Sequence, residues 1–277
     1  MKTLKDMGEH NAIAALTANL KAVGDDCAVL PLDDQYDLIL TSDPLIENVH
    51  FFSETPPERI GHKAVCRVLS DFAAMGAEPQ YLVVNVVASP AQDFQTLERI
   101  YAEFSSLWEI YGAEVVGGDL AQGPVLELHV FGVGRVPKGK ALLRSGAKSG
   151  DHIYVTGPLG CSQQTGKQFR FEPRLEWAKE LRESGTVTAM MDVSDGLATD
   201  LRHILKASGV GAELDSSEIP RVGTLEEALY DGEDFELLFT SPAEFDFPKV
   251  GTITGNTEEL LLDGNPLKAK AFEHFRK

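Results

Sequence analysis

Basic residues are scarce in this sequence. Lys and Arg number 25 against 43 Asp and Glu, and the formal net charge is −18. Nucleic acids and anionic membrane surfaces select the opposite balance, so neither is expected as a partner. Cysteine is rarer still: Cys27, Cys66 and Cys161 lie far apart, with no CxxC pair. Neither His nor Cys clusters, which argues against zinc, and a reducing, cytoplasmic setting is expected. No run approaches the ~18 apolar residues of a membrane span. The N-terminus, MKTLKDMGEHNAIAALTANL, interrupts its apolar positions and carries acids early, so a helix is expected there rather than a secretory leader. The phosphate-binding pattern GxxxxGK[ST] is missing. The doublet Gly132 and Gly134 lacks the third glycine of a dinucleotide loop.

What is present is a mixture of strand and helix signals. Buried strands are expected at 36–40, 80–89, 113–118, 125–136, 151–157, 188–193 and 235–240. Helical periodicity fits 57–75, 93–111, 173–184 and 196–208. Within 57–75, Val65, Val68, Leu69, Phe72 and Met75 recur at helical spacing and read as core. The mixture predicts an α/β (α+β) class, and 277 residues suit two domains. The Gly- and Lys-rich segment PKGKALLRSGAKSGD (137–151) is the expected junction, dividing the chain into 1–137 and 138–277.

Five stretches repeat one local pattern, an apolar run ending in Asp beside Gly, Ser or Thr: VGDDCAVL (23–30), LILTSDPLIENVHF (38–51), VLSDFAAMGA (68–77), VVGGDL (115–120) and MMDVSDGLATDL (190–201). Any one is accounted for by a turn or a helix cap. Five together predict strand-end carboxylates converging on one cleft, where bound cations would relieve their repulsion. All-oxygen ligands favour Mg²⁺ or Ca²⁺, and the absence of an EF-hand loop leaves Mg²⁺ with a phosphate-bearing substrate. Arg144, flanked by Gly146 and Gly150, is either a solvated cation or a bidentate phosphate ligand. His50 is either a structural polar residue or a site residue. Gly232, Glu233 and Asp234, before the strand FELLFT, are either a turn with solvated acids or a substrate contact.

In order along the chain, GDDCAVL, TSDPLIENVHF, LSDFAAMGAEP, VVGGDL, LLRSGAKSGDHIYVTGPLG, MDVSDGLATDLRHILKASGVGAEL and DGEDFELLF resemble the thiamine-monophosphate kinase family. The resemblance implies the two-domain fold of aminoimidazole ribonucleotide synthetase. In that fold an N-terminal mixed sheet pairs across a homodimer and a C-terminal α/β domain follows. It implies ATP-dependent, Mg²⁺-dependent phosphorylation of thiamine monophosphate by direct in-line transfer. The implied metal ligands are Asp26, Thr41, Ser42, Asp43, Asp71, Asp119, Asp192 and Asp195. The implied ATP contacts are Tyr101, Gly118, Asp119, Arg144 and Ser194, and the implied thiamine-phosphate contacts are His50, Glu233 and Phe272. Asp43, Asp119, Arg144 and Asp195 would carry the transfer. Pro44 and Asn48 depart from the family pattern, and the stretches after PLG (158–160) and after ELLFT are shorter than usual. Another phosphorylated acceptor, or a nucleotide sensor without turnover, therefore stands as the alternative.

Overall fold

The computed structural model describes residues 2–20, 23–257 and 259–267. Two short helices, α1 (Leu4–Met7) and α2 (Glu9–Thr17), come first. Next come β1 (Ala28–Pro31), β2 (Tyr36–Ile46), α3 (Pro57–Ala74), β3 (Glu78–Ala88), α4 (Phe94–Tyr111), β4 (Glu114–Gln122) and β5 (Glu127–Pro137). Their strands form one sheet in the order β1-β2-β5-β3-β4. It is antiparallel except for β3 and β4, which run parallel because α4 carries the chain across between them. The remaining elements are β6 (His152–Val155), α5 (Ser162–Thr165), α6 (Leu175–Ser184), β7 (Ala189–Asp192), α7 (Leu197–Ser208), β8 (Gly211–Leu214), α8 (Leu225–Tyr230), β9 (Leu237–Ser241), β10 (Lys249–Thr254), β11 (Leu260–Leu262) and β12 (Asn265–Pro266). Their strands form a second sheet in the order β12-β11-β8-β10-β6-β9-β7. None of the described helices is long and apolar enough to cross a membrane.

Helix α3 joins the two halves. Pro57 occupies its first turn, where a missing N–H costs nothing. One side packs on β2, β5 and α4, the other on α6 and β7. Gly132 and Gly134 on β5 explain the glycine doublet. A Cβ there would stand 2.5 Å and 2.6 Å from the Phe72 ring, so glycine lets α3 lie close on the sheet. Phe72 is fully buried, and replacing it with Ala would cost about 3–5 kcal/mol.

Each strand and helix expected from periodicity is present. β2 runs further than its apolar stretch suggests, to Ile46, because it pairs with β5 along its whole length. That extension corrects the picture of aspartates at strand ends. Asp192 does close β7, but Asp43 lies inside β2, Asp71 inside α3 and Asp119 inside β4. Asp is tolerated at mid-strand in β2 because its carboxylate lines a polar cleft and pairs there with Arg67.

Candidate active site

A cavity of about 470 Å³ opens between the two sheets. Nine carboxylates line it: Glu9, Asp25, Asp26, Asp43, Asp71, Asp192, Asp195, Asp231 and Glu233. Among the described residues, two guanidinium groups, Arg67 and Arg144, face them there. Thr41, Ser42, His50 and Ser194 complete the part expected from sequence.

At the centre, carboxylate oxygens of Asp26, Asp71 and Asp192 lie within 4.8 Å of one another. The three come from the segment before β1, from α3 and from the end of β7. Thr41 Oγ1 donates to Asp71 at 2.5 Å, and Ser70 donates its hydroxyl to Asp192. Arg144 grips Asp26 with two bonds, Nη2 at 2.8 Å and Nε at 3.3 Å. Its backbone N–H donates to Asp25 at 2.7 Å. Burial first, then Asp43, Asp192 and Asp26, push the Asp71 carboxyl well above the ordinary range. Burial and then Asp26 push Asp192 up to about 7. Burial also raises Asp43, with Arg67 working against it. Such a cluster is costly without a cation. Three carboxylates with hydroxyl groups alongside form an oxygen donor set that fits Mg²⁺ and suits softer metals poorly.

The loop Val193–Gly196 is held from behind. Asp200, buried in the first turn of α7, accepts the Asp195 N–H at 3.0 Å. His50 accepts the Ile46 N–H on Nδ1 at 3.0 Å, which places its own proton on Nε2. In DGEDF only part of the motif reaches the cavity. Glu233 and Gly232 line it, whereas Asp234 is fully buried and accepts from Gly160 N–H and Ser162 Oγ, each at 2.7 Å. Asp234 is thus neither a solvated turn acid nor a cleft group. Glu233 and Phe235 take the left-handed backbone, with φ of 67° and 52°. Their N–H groups bond to the Ser194 and Val193 carbonyls, which offsets that strain.

Three expected ATP or metal residues sit elsewhere. Asp119 pairs across β3 with Asn85, whereas Asp43 shares its face with Val130 and Val84. Side chains alternate along a strand, so Asp119 points to the opposite face of the sheet, roughly 14 Å and three strands away. Gly118 is required by packing, since a Cβ there would meet the Val84 carbonyl oxygen at 1.8 Å. Tyr101 lies half-exposed on α4, against Phe104. None of the three lines the cavity of its own chain. Phe272 lies outside the described residues.

A polar stripe on α3 runs into the site, and its first two members, Lys63 and Arg67, belong to none of the Asp motifs. Lys63, Arg67, Ser70 and Asp71 follow the spacing i, i+4, i+7, i+8 and share one face. Lys63 ion-pairs with Glu233 at 2.6 Å and donates to the His50 carbonyl and to Gln168. Arg67 pairs with Asp43 at 3.4 Å. Its signal in the sequence is polar residues recurring at helical spacing within an apolar helix.

Known proteins carry the same arrangement of chain. Residues 24–136 match the N-terminal domain of AIR synthase related proteins, and 145–259 match their C-terminal domain. The thiamine-monophosphate kinase of Salmonella typhimurium is 33% identical over 303 aligned positions, covering 91% of each chain. The chain belongs to the thiamine-monophosphate kinase family. The Aquifex aeolicus member is 30% identical, with 98% of this chain and 99% of the relative covered. The solved structure of AaThiL complexed with AMPPCP and TMP superposes with a TM-score of 0.93 at 28% identity, covering 99% of both chains. The family resemblance and the two-domain fold inferred from the sequence motifs are thereby borne out.

Proposed function

We propose that the chain transfers the γ-phosphoryl group of ATP to thiamine monophosphate in this cavity, giving thiamine diphosphate and ADP. The carrying observation is the Asp26–Asp71–Asp192 cluster beside Arg144, in a chain whose relatives are named for that reaction. A phosphate oxygen of the acceptor forms the new bond to the γ-phosphorus as the bond to the ADP oxygen breaks, and the electron pair leaves with ADP. The acceptor oxygen is already anionic, so no strong base is needed. The obstacle is repulsion between two anions. Mg²⁺ held by Asp26, Asp71 and Asp192, with Thr41, Ser42, Asp43 and Asp195 around them, would supply the positive charge that screens both substrates. Arg144 swings its charge-assisted bonds from Asp26 to the nucleotide phosphates, and Ser194 bonds alongside it. His50 and Glu233 hold the acceptor on the other side of the cluster, and alignment of the two anions supplies much of the rate.

Asp119, Gly118 and Tyr101 then serve a second copy. The outer face of the first sheet exposes Phe131, and its edge strand β4 exposes Val116 and Leu120. Pairing of two such sheets would cover them and carry Asp119 toward the partner's cavity. The three cysteines are free thiols, in keeping with a reducing cytoplasm.

The test is ADP release with ATP, Mg²⁺ and a panel of phosphorylated acceptors, with product identified by mass. Thiamine monophosphate is expected to be turned over fastest, yielding the diphosphate. Faster turnover of another acceptor would replace the substrate. No ADP release with any acceptor, from dimeric protein, would leave nucleotide binding alone.

A further inference from the structure

The four residues of the α3 stripe differ in how fully they are engaged. Lys63 has three N–H donors and three acceptors: the His50 carbonyl, Gln168 and Glu233. Ser70 is held by Asp192 and Asp71 by Thr41. Arg67 is the exception. Of its five N–H donors two are used, Nη1 on the Pro44 carbonyl at 3.1 Å and Nη2 on Asp43 at 3.4 Å. Its Nε is buried and has no hydrogen-bond partner. Other guanidinium groups of the chain show what a satisfied one looks like. Arg174 holds Glu236 through two bonds of 2.9 Å, and Arg144 holds Asp26 at 2.8 Å. The Arg67–Asp43 contact is single and long, far from the fork geometry that guanidinium favours.

Position gives the vacant donors a use. Arg144 sits against Asp26, on the side of the acid cluster that the proposed function gives to the nucleotide. Arg67 sits against Asp43, one helical turn from Lys63 and so beside Glu233 and His50. Lys63 is fully buried and saturated, which leaves Arg67 as the cation lining that side of the cavity among the described residues. An acceptor that brings its own phosphate there needs a counter-charge, and a planar donor set matches phosphate oxygens.

We propose that Arg67 receives the phosphate of the acceptor, exchanging its loose contact with Asp43 for bonds to phosphate oxygens. This rests on the reading that His50 and Glu233 hold the acceptor. Asp43 is at the same time released to the metal-binding cluster, so acceptor binding and cluster assembly occur together.

The test uses the full-length protein with Arg67→Met, Arg67→Lys and Glu233→Gln, varying ATP and thiamine monophosphate separately. Arg67→Met is expected to raise the KM for thiamine monophosphate about tenfold or more, with the KM for ATP changed less than about threefold and Arg67→Lys intermediate. Competition by unphosphorylated thiamine gives the sharper readout. The preference for the phosphorylated over the bare acceptor should fall about tenfold in Arg67→Met, a ratio that a purely structural role would leave alone. Should Arg67→Met fold poorly, Arg67→Lys carries the same ratio test. An unchanged ratio with a raised KM in Glu233→Gln overturns the role of Arg67 while sparing the acceptor site. Unchanged acceptor constants in all three variants overturn both. A shift confined to the KM for ATP assigns Arg67 to the nucleotide and also overturns the proposal.

Discussion

The hydroxyl of Ser70, on the helix that lines the first sheet, donates to the carboxylate of Asp192, at the end of a strand in the second. Both groups are buried, and the bond is made across the two halves of the molecule. It orients one carboxylate of the Asp26–Asp71–Asp192 cluster, the group proposed above to hold Mg²⁺. Ser70→Ala should therefore raise the Mg²⁺ concentration for half-maximal activity by about tenfold while leaving the fold intact. A Mg²⁺ titration of the initial rate measures this. An unchanged midpoint would mean that Asp192 is oriented by something else.

Asp71 experiences the repulsion most. Burial and three neighbouring carboxylates oppose its charge, and Thr41 offsets only part of that cost. Asp71→Asn removes the charge and keeps the shape. The metal-free variant should melt about 3 °C higher than the parent, with transfer reduced by at least about a hundredfold. Calorimetry with a chelator present, paired with the kinase assay, checks both halves. A variant that is both less stable and fully active would contradict the cluster.

The same carboxylates set a pH dependence. The folded-state value of Asp192 stands near 7, above its ordinary value of 3.8. The folded chain thus holds more protons than the unfolded one between about 4 and 7. Its stabilising share is complete below about 4 and lost as pH rises to about 7. In Asp192→Asn that loss is absent, so its melting advantage over the parent should widen from pH 5 to pH 8 in metal-free buffer. The stabilisation of the parent by Mg²⁺ should grow over the same interval, because cation binding displaces those protons. Melting curves at four pH values, with and without Mg²⁺, decide it.

Asp43 and Asp119 lie on opposite faces of one sheet, so a site that uses both must draw them from two chains. Asp43→Asn and Asp119→Asn should each be inactive alone. After co-refolding in equal amounts, half the dimers are mixed, and each mixed dimer has one intact site. About a quarter of parental activity should return. No recovery, with mixed dimers verified by mass, would rule out the shared site.

Much of this protein is legible in its residue order. The apolar runs name seven strands and four helices because burial imposes periods of two and of 3.6 on any chain that makes sheets and helices. The clustered Asp motifs, the oxygen chemistry and the family rest on local residue types, which a sequence displays directly. The elements that leave no such mark are β1, α5, β8, α8 and the strands from Lys249 onward, all too short for a period to emerge. The polar stripe of α3 is hidden for another reason. Lys63 and Arg67 read as ordinary charges on a helix until the second sheet closes over them and turns a solvated face into a cavity wall. Composition and spacing alone settled which side chains were available and what they could bind. Which of them meet was decided by the long-range packing of two sheets against one helix. That packing brings Asp26, Asp71 and Asp192 together from segments far apart in the chain, and turns Asp119 away. No local rule carries that information, because contacts between distant segments depend on how every intervening element is laid down.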